Sequence, residues 1–292
     1  MRVVSLDQVQ PRARRVAVGE FDGVHLGHRE VMAGSDTVLT FEPHPASIVR
    51  PGGGPKLLTT LELKTELIAE LGAEELVVVP FDQSFARQEA AEFIERVLVQ
   101  TLVATHVAVG ANFRFGHRAR GTAALLTADD RFETRVVPLV EVDGVPVSST
   151  RIRTLIEEGD VDVAAELLGA RFRMRSEVVH GDRRGRDLGF PTANMVPDPK
   201  LTCPGHGVYA CRVGERLAAV NVGVRPTFGK DLHPLVEAFL LDFEGDLYGQ
   251  RLTVEFVARL RGERRFASVD ELIAQMHRDV QRTRELLASG VE

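Results

Sequence analysis

Two cysteines occur in 292 residues, Cys203 and Cys211, and they form no Cys-x-x-Cys. A four-ligand zinc site needs a second pair, so the expectation is two ordinary thiols in a reducing compartment. No stretch reaches the ~18 apolar residues of a membrane span, and the opening Met1-Arg2-Val3-Val4-Ser5-Leu6-Asp7 lacks the apolar run of a secretory signal. A cytoplasmic protein without membrane contact is expected. Basic residues are in deficit: 36 Lys and Arg against 42 Asp and Glu leave a net charge of -6, which gives no general attraction to nucleic acid. Six arginines between Arg171 and Arg186 still allow a local anion site. The Walker A pattern is missing, which excludes a P-loop kinase. Collagen-like, Gln/Asn-rich and solenoid repeats are missing too.

What is present is an ordinary globular composition, 44% apolar and 27% charged, in a chain long enough for about two domains. From residue 15 to about 168, short apolar runs alternate with helical patterns: Arg15-Val16-Ala17-Val18, Val38-Leu39-Thr40-Phe41, Leu76-Val77-Val78-Val79 and His106-Val107-Ala108-Val109. Strands apolar on both sides and spaced by helices imply a buried parallel sheet in an α/β layer, with ligands at the strands' carboxyl ends. Thr59 and Glu62 form a capping-box pattern for a helix lined by Leu63, Leu67 and Leu71 and ended by Gly72, and a second helix is expected from Gln88 to Leu102. Asp160 heads a short helix through Leu168, and the Gly169-Ala170 step is the expected boundary between domains 1–169 and 170–292. Beyond it the period becomes two. Gly207–Val213, Leu217–Val222, Val236–Leu241 and Leu252–Val257 read as strands of an antiparallel barrel. A last helix follows, with Ser268 and Glu271 as capping box and Leu272, Met276, Val280 and Leu287 near one face.

The most informative run is Gly19-Glu20-Phe21-Asp22-Gly23-Val24-His25-Leu26-Gly27-His28, directly after an apolar strand. Histidines three apart at the start of a helix share a face. Both imidazoles would then meet beside backbone N–H groups, a corner suited to a polyphosphate. Gly23 and Gly27 would let the backbone approach a ligand closely. Taken alone, His-x-Gly-His also fits a surface turn. Three later segments return to the same sheet edge: Thr40-Phe41-Glu42-Pro43-His44-Pro45, Val109-Gly110-Ala111-Asn112-Phe113-Arg114-Phe115-Gly116, and Val147-Ser148-Ser149-Thr150-Arg151-Ile152-Arg153. Arg114 between two aromatics also fits a snorkelling surface residue, and hydroxyls at a helix start also fit a plain cap. In the second half, His180–Asn194 is dense in glycine and arginine and closes with Pro191-Thr192-Ala193-Asn194. Glu237 stands among apolar residues in Val236–Asp242. Gly205-His206-Gly207-Val208-Tyr209-Ala210 mimics a dinucleotide motif but precedes a strand instead of following one, and is rejected.

On these residues the chain resembles bacterial bifunctional riboflavin kinase/FAD synthetases, over about residues 15 to 288 and with the segments in family order. The resemblance implies a Rossmann-like nucleotidyltransferase domain with a parallel sheet, followed by a flavokinase β-barrel with a terminal helix. It implies phosphorylation of riboflavin to FMN and adenylylation of FMN to FAD, with ATP as co-substrate and Mg²⁺ as cofactor. By the same likeness His25 and His28 are catalytic. ATP and flavin contacts fall to Gly19, Phe21, Asp22, Gly23, His44, Asn112, Arg114, Ser148, Ser149, Thr150 and Arg153. In the kinase half they fall to Gly181, Gly185, Arg186, Gly189, Pro191, Asn221 and Arg225, with Thr192 and Asn194 as magnesium ligands and Glu237 as general base. One departure stands out: only two helical turns fit between His28 and Gly34-Ser35, fewer than in family members. The histidines need just the first turn, so the site is expected to survive. The alternatives are a kinase with an impaired adenylyltransferase half and a non-catalytic flavin sensor. Self-association is left open.

Overall fold

The computed structural model describes residues 1–180, 190–225 and 233–288, the side chains of Arg225 and His233 excepted. Contacts divide the chain into two compact units, Met1–Ser149 and Thr150–Glu292. In the first, the chain runs through β1 (Arg2–Ser5), β2 (Arg14–Val18), α1 (Leu26–Met32), β3 (Thr37–Glu42), α2 (Pro45–Val49), α3 (Leu61–Glu70) and β4 (Glu75–Pro80). It continues through α4 (Ala90–Phe93), β5 (Ala104–Gly110), the ribbon β6 (Arg114–Phe115) and β7 (Gly121–Thr122), α5 (Ala123–Thr127), β8 (Glu133–Val137) and the ribbon β9 (Glu141–Val142) and β10 (Val145–Pro146).

The parallel sheet expected from the two-sided apolar strands is there, in the order β1-β4-β3-β2-β5-β8. Alternation along each strand feeds two cores. Val16, Val18, Leu39, Phe41, Val107 and Val109 pack on one face, and Ala17, Val38, Leu76 and Ala108 meet Leu63, Leu67 and Ile68 of α3 on the other. Burying each such Val or Leu is worth about 1.5–3 kcal/mol. From β2 the chain passes to β3 on one side, and it returns through β5 on the other. That reversal opens a crevice at the carboxyl ends of β2 and β5, the place where such sheets take ligands.

Two helices differ from the sequence reading. The cap of α3 is Thr60, whose side chain accepts from Leu63 N, and not Thr59. Thr59 is drawn away by a buried carboxylate, Asp22, described below. The helix expected over 88–102 is α-helical only to Phe93 and continues as a π-helix over Ile94–Thr101, with Leu102 N reaching back to Val97 O.

Opposite the crevice, at the strands' amino ends, lies a buried charge network that no local pattern announces. Arg14 is fully buried and donates through Nε to Glu75 Oε2 at 2.7 Å, while its Nη atoms serve the carbonyls of Gln10, Arg12 and Leu102. Arg2 also donates to Glu75, so one carboxylate ties β1, β2 and β4 together. Burial alone would raise the pKa of Glu75, but hydrogen bonds from Arg14 and Arg2 hold it below the usual glutamate range.

The second unit comprises α6 (Ser149–Glu158), which starts at the boundary, α7 (Val161–Leu168), β11 (Phe172–Val179), β12 (Ala193–Met195), β13 (Gly207–Val213), β14 (Arg216–Arg225), β15 (His233–Leu240), β16 (Arg251–Arg261) and α8 (Val269–Ala288). The strands close a barrel in the order β11-β12-β15-β14-β13-β16, all neighbours antiparallel. The helices α6 and α7 belong with it by packing: Arg259 donates to Glu158 O at 3.1 Å and Gly205 N to Ile156 O at 2.9 Å. At Gly169 (φ 66°) the helical run ends, although Asp160 at the head of α7 makes no side-chain cap bond. Along α8 the fully buried residues are Asp279, Thr283 and Leu287, with Leu272, Met276 and Val280 half-buried. Its seam is therefore partly polar, built on Asp279 paired with Arg261 at 2.9 Å.

Removing the Glu75 carboxylate strands Arg14 as an unpaired buried charge. Glu75→Ala should therefore cost about 3–5 kcal/mol. Both tyrosines, Tyr209 and Tyr248, lie in the second unit. Far-ultraviolet circular dichroism should register the earlier urea transition while tyrosine fluorescence keeps its midpoint; an unmoved circular-dichroism transition would show that the network does not hold the sheet.

Candidate active sites

The first site is built from the turn after β2. Gly19 must lack a side chain because the Phe21 ring lies 2.9 Å from where its Cβ would stand. Phe21 (φ 52°) and Val24 (φ 46°) both sit in the left-handed region, as does Gly23 (φ 85°). For side chains of that kind this costs of order 1–3 kcal/mol each, and such strain persists only where neighbours impose it. Here they do. The buried Asp22 carboxylate accepts from Leu58 N at 2.9 Å and Thr59 N at 3.2 Å, Gly23 N donates to Thr59 Oγ1 at 3.2 Å, and Ser149 Oγ donates to Asp22 O at 3.0 Å.

The clamped turn delivers His25 to the N-cap of α1, where its Nδ1 accepts from His28 N at 3.3 Å. With Nδ1 accepting, the proton of the neutral ring sits on Nε2. The two imidazoles stack, centroids 3.5 Å apart and planes 18° from parallel. Phe21 meets the His28 ring edge-on at 5.4 Å. A Cβ on Gly27 would stand 3.3 Å from His25 Cε1, so a glycine there leaves room for the ring. His28 Nδ1 is buried and has no hydrogen-bond partner among the described residues. Burial, His25 and the nearby Lys64 together hold the His28 ring well below its ordinary value of 6.5, which makes it a neutral imidazole at neutral pH.

Two groups here escaped the sequence reading. Lys64 of α3 is buried and donates through Nζ to Glu20 O at 2.9 Å. Glu20 itself has a buried Oε2 with no hydrogen-bond partner among the described residues. Burial pushes its carboxyl up to about 8, Lys64 opposes this, and Asp22 and Glu42 add to it. The signal available was a lysine inside an otherwise apolar helix face between Leu63 and Leu67, next to an acid embedded in the glycine-rich run.

The other expected residues distribute unevenly around this edge. His44 caps α2, its Nδ1 accepting from Ala46 N at 3.1 Å. Asn112 and Arg114 are exposed beyond the carboxyl end of β5, while Phe113 stacks on Phe115 at 5.5 Å. Exposure of Arg114 agrees with a surface side chain. Ser148 and Thr150 are exposed, and Arg153 Nη1 lies 3.4 Å from Thr150 Oγ1 in the second unit.

The second site lies on the barrel. In register, Asn194 of β12 faces Glu237 of β15, which faces Asn221 of β14. Cross-strand partners leave a sheet on the same face, so the three polar side chains form one row. Asn221 Nδ2 donates to Glu237 Oε2 at 3.1 Å, and Asn194 Nδ2 donates to Thr192 O at 3.2 Å. Pro191, Thr192 and Asn194 line a cavity of about 530 Å³ whose other wall is Phe243–Tyr248. Glu237 does not line that cavity, but its cross-strand neighbour Asn194 does. His180 lies against Tyr248, with centroids 3.9 Å apart and planes tilted by 36°. Gly181, Gly185, Arg186 and Gly189 lie outside the described residues, as does the side chain of Arg225.

A family model described as FAD synthetase matches residues 7–151 and one described as riboflavin kinase matches residues 168–287. The Bacillus subtilis bifunctional riboflavin kinase/FMN adenylyltransferase is 37% identical over 286 residues, 91% of this chain and 90% of that protein. The chain belongs to the bifunctional riboflavin kinase/FMN adenylyltransferase family. The Escherichia coli K12 member is likewise 37% identical, over 96% of this chain and 95% of its own. Among solved structures, a Streptococcus pneumoniae protein named as a macrolide-efflux protein superposes with a TM-score of 0.88 at 31% identity, covering 97% of this chain and 99% of that one. No helix among the described residues is long and apolar enough to cross a membrane.

Glu20 yields a test. Below its ordinary value of 4.5 the carboxyl is protonated in folded and unfolded chains alike; between there and about 8 only the folded chain keeps the proton. Its contribution to stability is thus full at low pH and lost as pH climbs through about 8. In urea unfolding followed by circular dichroism, Glu20→Gln should match the parent near pH 4.5 and exceed it above about pH 8. Superimposable curves would contradict the buried acid.

Proposed function

We propose that this chain phosphorylates riboflavin to FMN with ATP and then adenylates FMN to FAD with release of pyrophosphate, residues 170–292 carrying the first reaction and residues 1–169 the second. The observation that supports it most is the coexistence in one chain of a stacked imidazole pair and a separate Asn194–Glu237–Asn221 row.

In adenylyl transfer a phosphate oxygen of FMN attacks the α-phosphorus of ATP and pyrophosphate leaves. No covalent enzyme intermediate is needed, so the protein contributes position and charge stabilisation. His25 offers Nε2–H as a fixed donor to the transferring phosphate, and the neutral His28 beside it donates without binding the product as a permanent cation would. Gly19, Phe21, Asp22 and Gly23 act by holding the turn that aims these rings. Ser148 and Ser149 take the pyrophosphate side, with His44, Asn112 and Arg114 at the nucleotide.

In the barrel Glu237 takes the proton of riboflavin's terminal hydroxyl as that oxygen attacks the γ-phosphorus of ATP and the bond to the bridging oxygen breaks, releasing ADP. Asn221 orients the carboxylate. Thr192 and Asn194 supply hard oxygen donors of the kind Mg²⁺ prefers, and with Nδ2 of Asn194 engaged on Thr192 O its amide oxygen is the end left for a cation. Bound magnesium supplies neutralisation of phosphate charge. Gly181, Gly185, Arg186, Gly189 and Pro191 border the phosphates, and Arg225 the flavin side. The reading includes a cytoplasmic setting and no nucleic-acid partner, in keeping with a net charge of -6, and it leaves self-association open.

Resolving the flavins over time separates the two reactions. With riboflavin, ATP and Mg²⁺, His28→Ala should let FMN accumulate without FAD. Glu237→Ala should slow FMN formation by roughly 10²–10⁴-fold yet convert added FMN to FAD at the parental rate. Normal riboflavin phosphorylation by the Glu237 variant would remove it as the base.

A further inference from the structure

The helix that carries the imidazole pair is too short to stand by itself. α1 has seven residues, well under the ~12–15 at which an isolated helix becomes even marginally stable. It is held at its start by the His25 cap and ends against Gly34, which turns the chain at φ 74°. Its last carbonyls therefore need partners from elsewhere. They find one on the outermost strand of the sheet. Arg135 of β8 places a single nitrogen, Nη2, 2.7 Å from Ala33 O, 2.9 Å from Val31 O and 3.0 Å from Glu30 O. Its Nη1 also lies 3.7 Å from the Glu30 carboxylate. A guanidinium at this end answers both the unsatisfied acceptors and the negative pole of the helix.

We propose that Arg135 is a positioning residue for adenylyl transfer, an external C-cap that substitutes for missing helix length and so keeps His25 and His28 in register. The link runs through few bonds. Arg29 N donates to His25 O at 2.9 Å and Ala33 N to Arg29 O at 2.9 Å, so the second turn braces the first. Without Arg135 that turn frays, and the His28 N–H that fixes the His25 ring moves with it. The inference rests on the imidazole pair carrying adenylyl transfer.

The test uses the full chain, with conversion of FMN to FAD by ATP and Mg²⁺ read beside riboflavin phosphorylation. Arg135→Ala should lower FAD formation roughly tenfold or more while FMN formation is unchanged. Long-range ¹H–¹⁵N spectra of the imidazoles should change with it, His25 exchanging between tautomers where the parent holds one. Arg135→Lys, which keeps the charge and a shorter-reaching donor, should fall between the two in both readouts, and it decides the matter if the alanine variant does not fold. Parental FAD formation in these variants, or lost activity with parental imidazole spectra, would overturn the proposal. His28→Ala run in parallel separates the two ideas: full activity there removes the reading of the pair itself, whereas a dead His28 variant beside a fully active Arg135 variant removes only the role of Arg135.

Discussion

One hydrogen bond organises the adenylyl-transfer half: the backbone N–H of His28 on Nδ1 of His25. It selects the tautomer, sets the two rings face to face, and makes the first histidine a structural cap and, under the proposed function, a donor at the same time. That double duty explains the cost accepted around it. Two side-chain-bearing residues in left-handed conformation, a carboxylate enclosed to hold the neighbouring loop, and an unpartnered acid beside a buried lysine are expensive unless something is gained by aiming the rings. The sheet supports the arrangement from its far edge, where the Arg14–Glu75 network locks the amino ends of three strands and leaves the carboxyl ends to the loops.

The barrel solves a related problem by other means. Under the proposed function, phosphorylation of an alcohol needs a base and a cation site, and the strand pairing offers candidates for both in one row: the amide of Asn194, the acid of Glu237 and the amide of Asn221 share a face because they are cross-strand partners in antiparallel register. Here rigidity comes from sheet hydrogen bonds, with no strained turn needed for these three residues.

Much of this was legible in the sequence because it is encoded locally. Histidines three apart do stack, strands apolar on both sides do lie in a parallel sheet, and period-two segments do close a barrel. What escaped depends on partners far along the chain. Thr60, not Thr59, caps α3 because Asp22, 37 residues away, holds Thr59. Arg14 looks like a surface residue until Glu75 is placed beside it, and Asp279 looks exposed until Arg261 is. The edge strands β1 and β8 are short and partly polar, so their periodicity is weak. The brevity of α1 was readable, but what stabilises it, an arginine more than a hundred residues on, was not.

The account turns on a stacked imidazole pair in which the buried His28 ring is neutral. Titrating the His28 ring by NMR in the unliganded chain addresses that directly. The ring should stay neutral as pH falls past its ordinary value of 6.5, and protonation of His28 at or above that value would contradict the arrangement described.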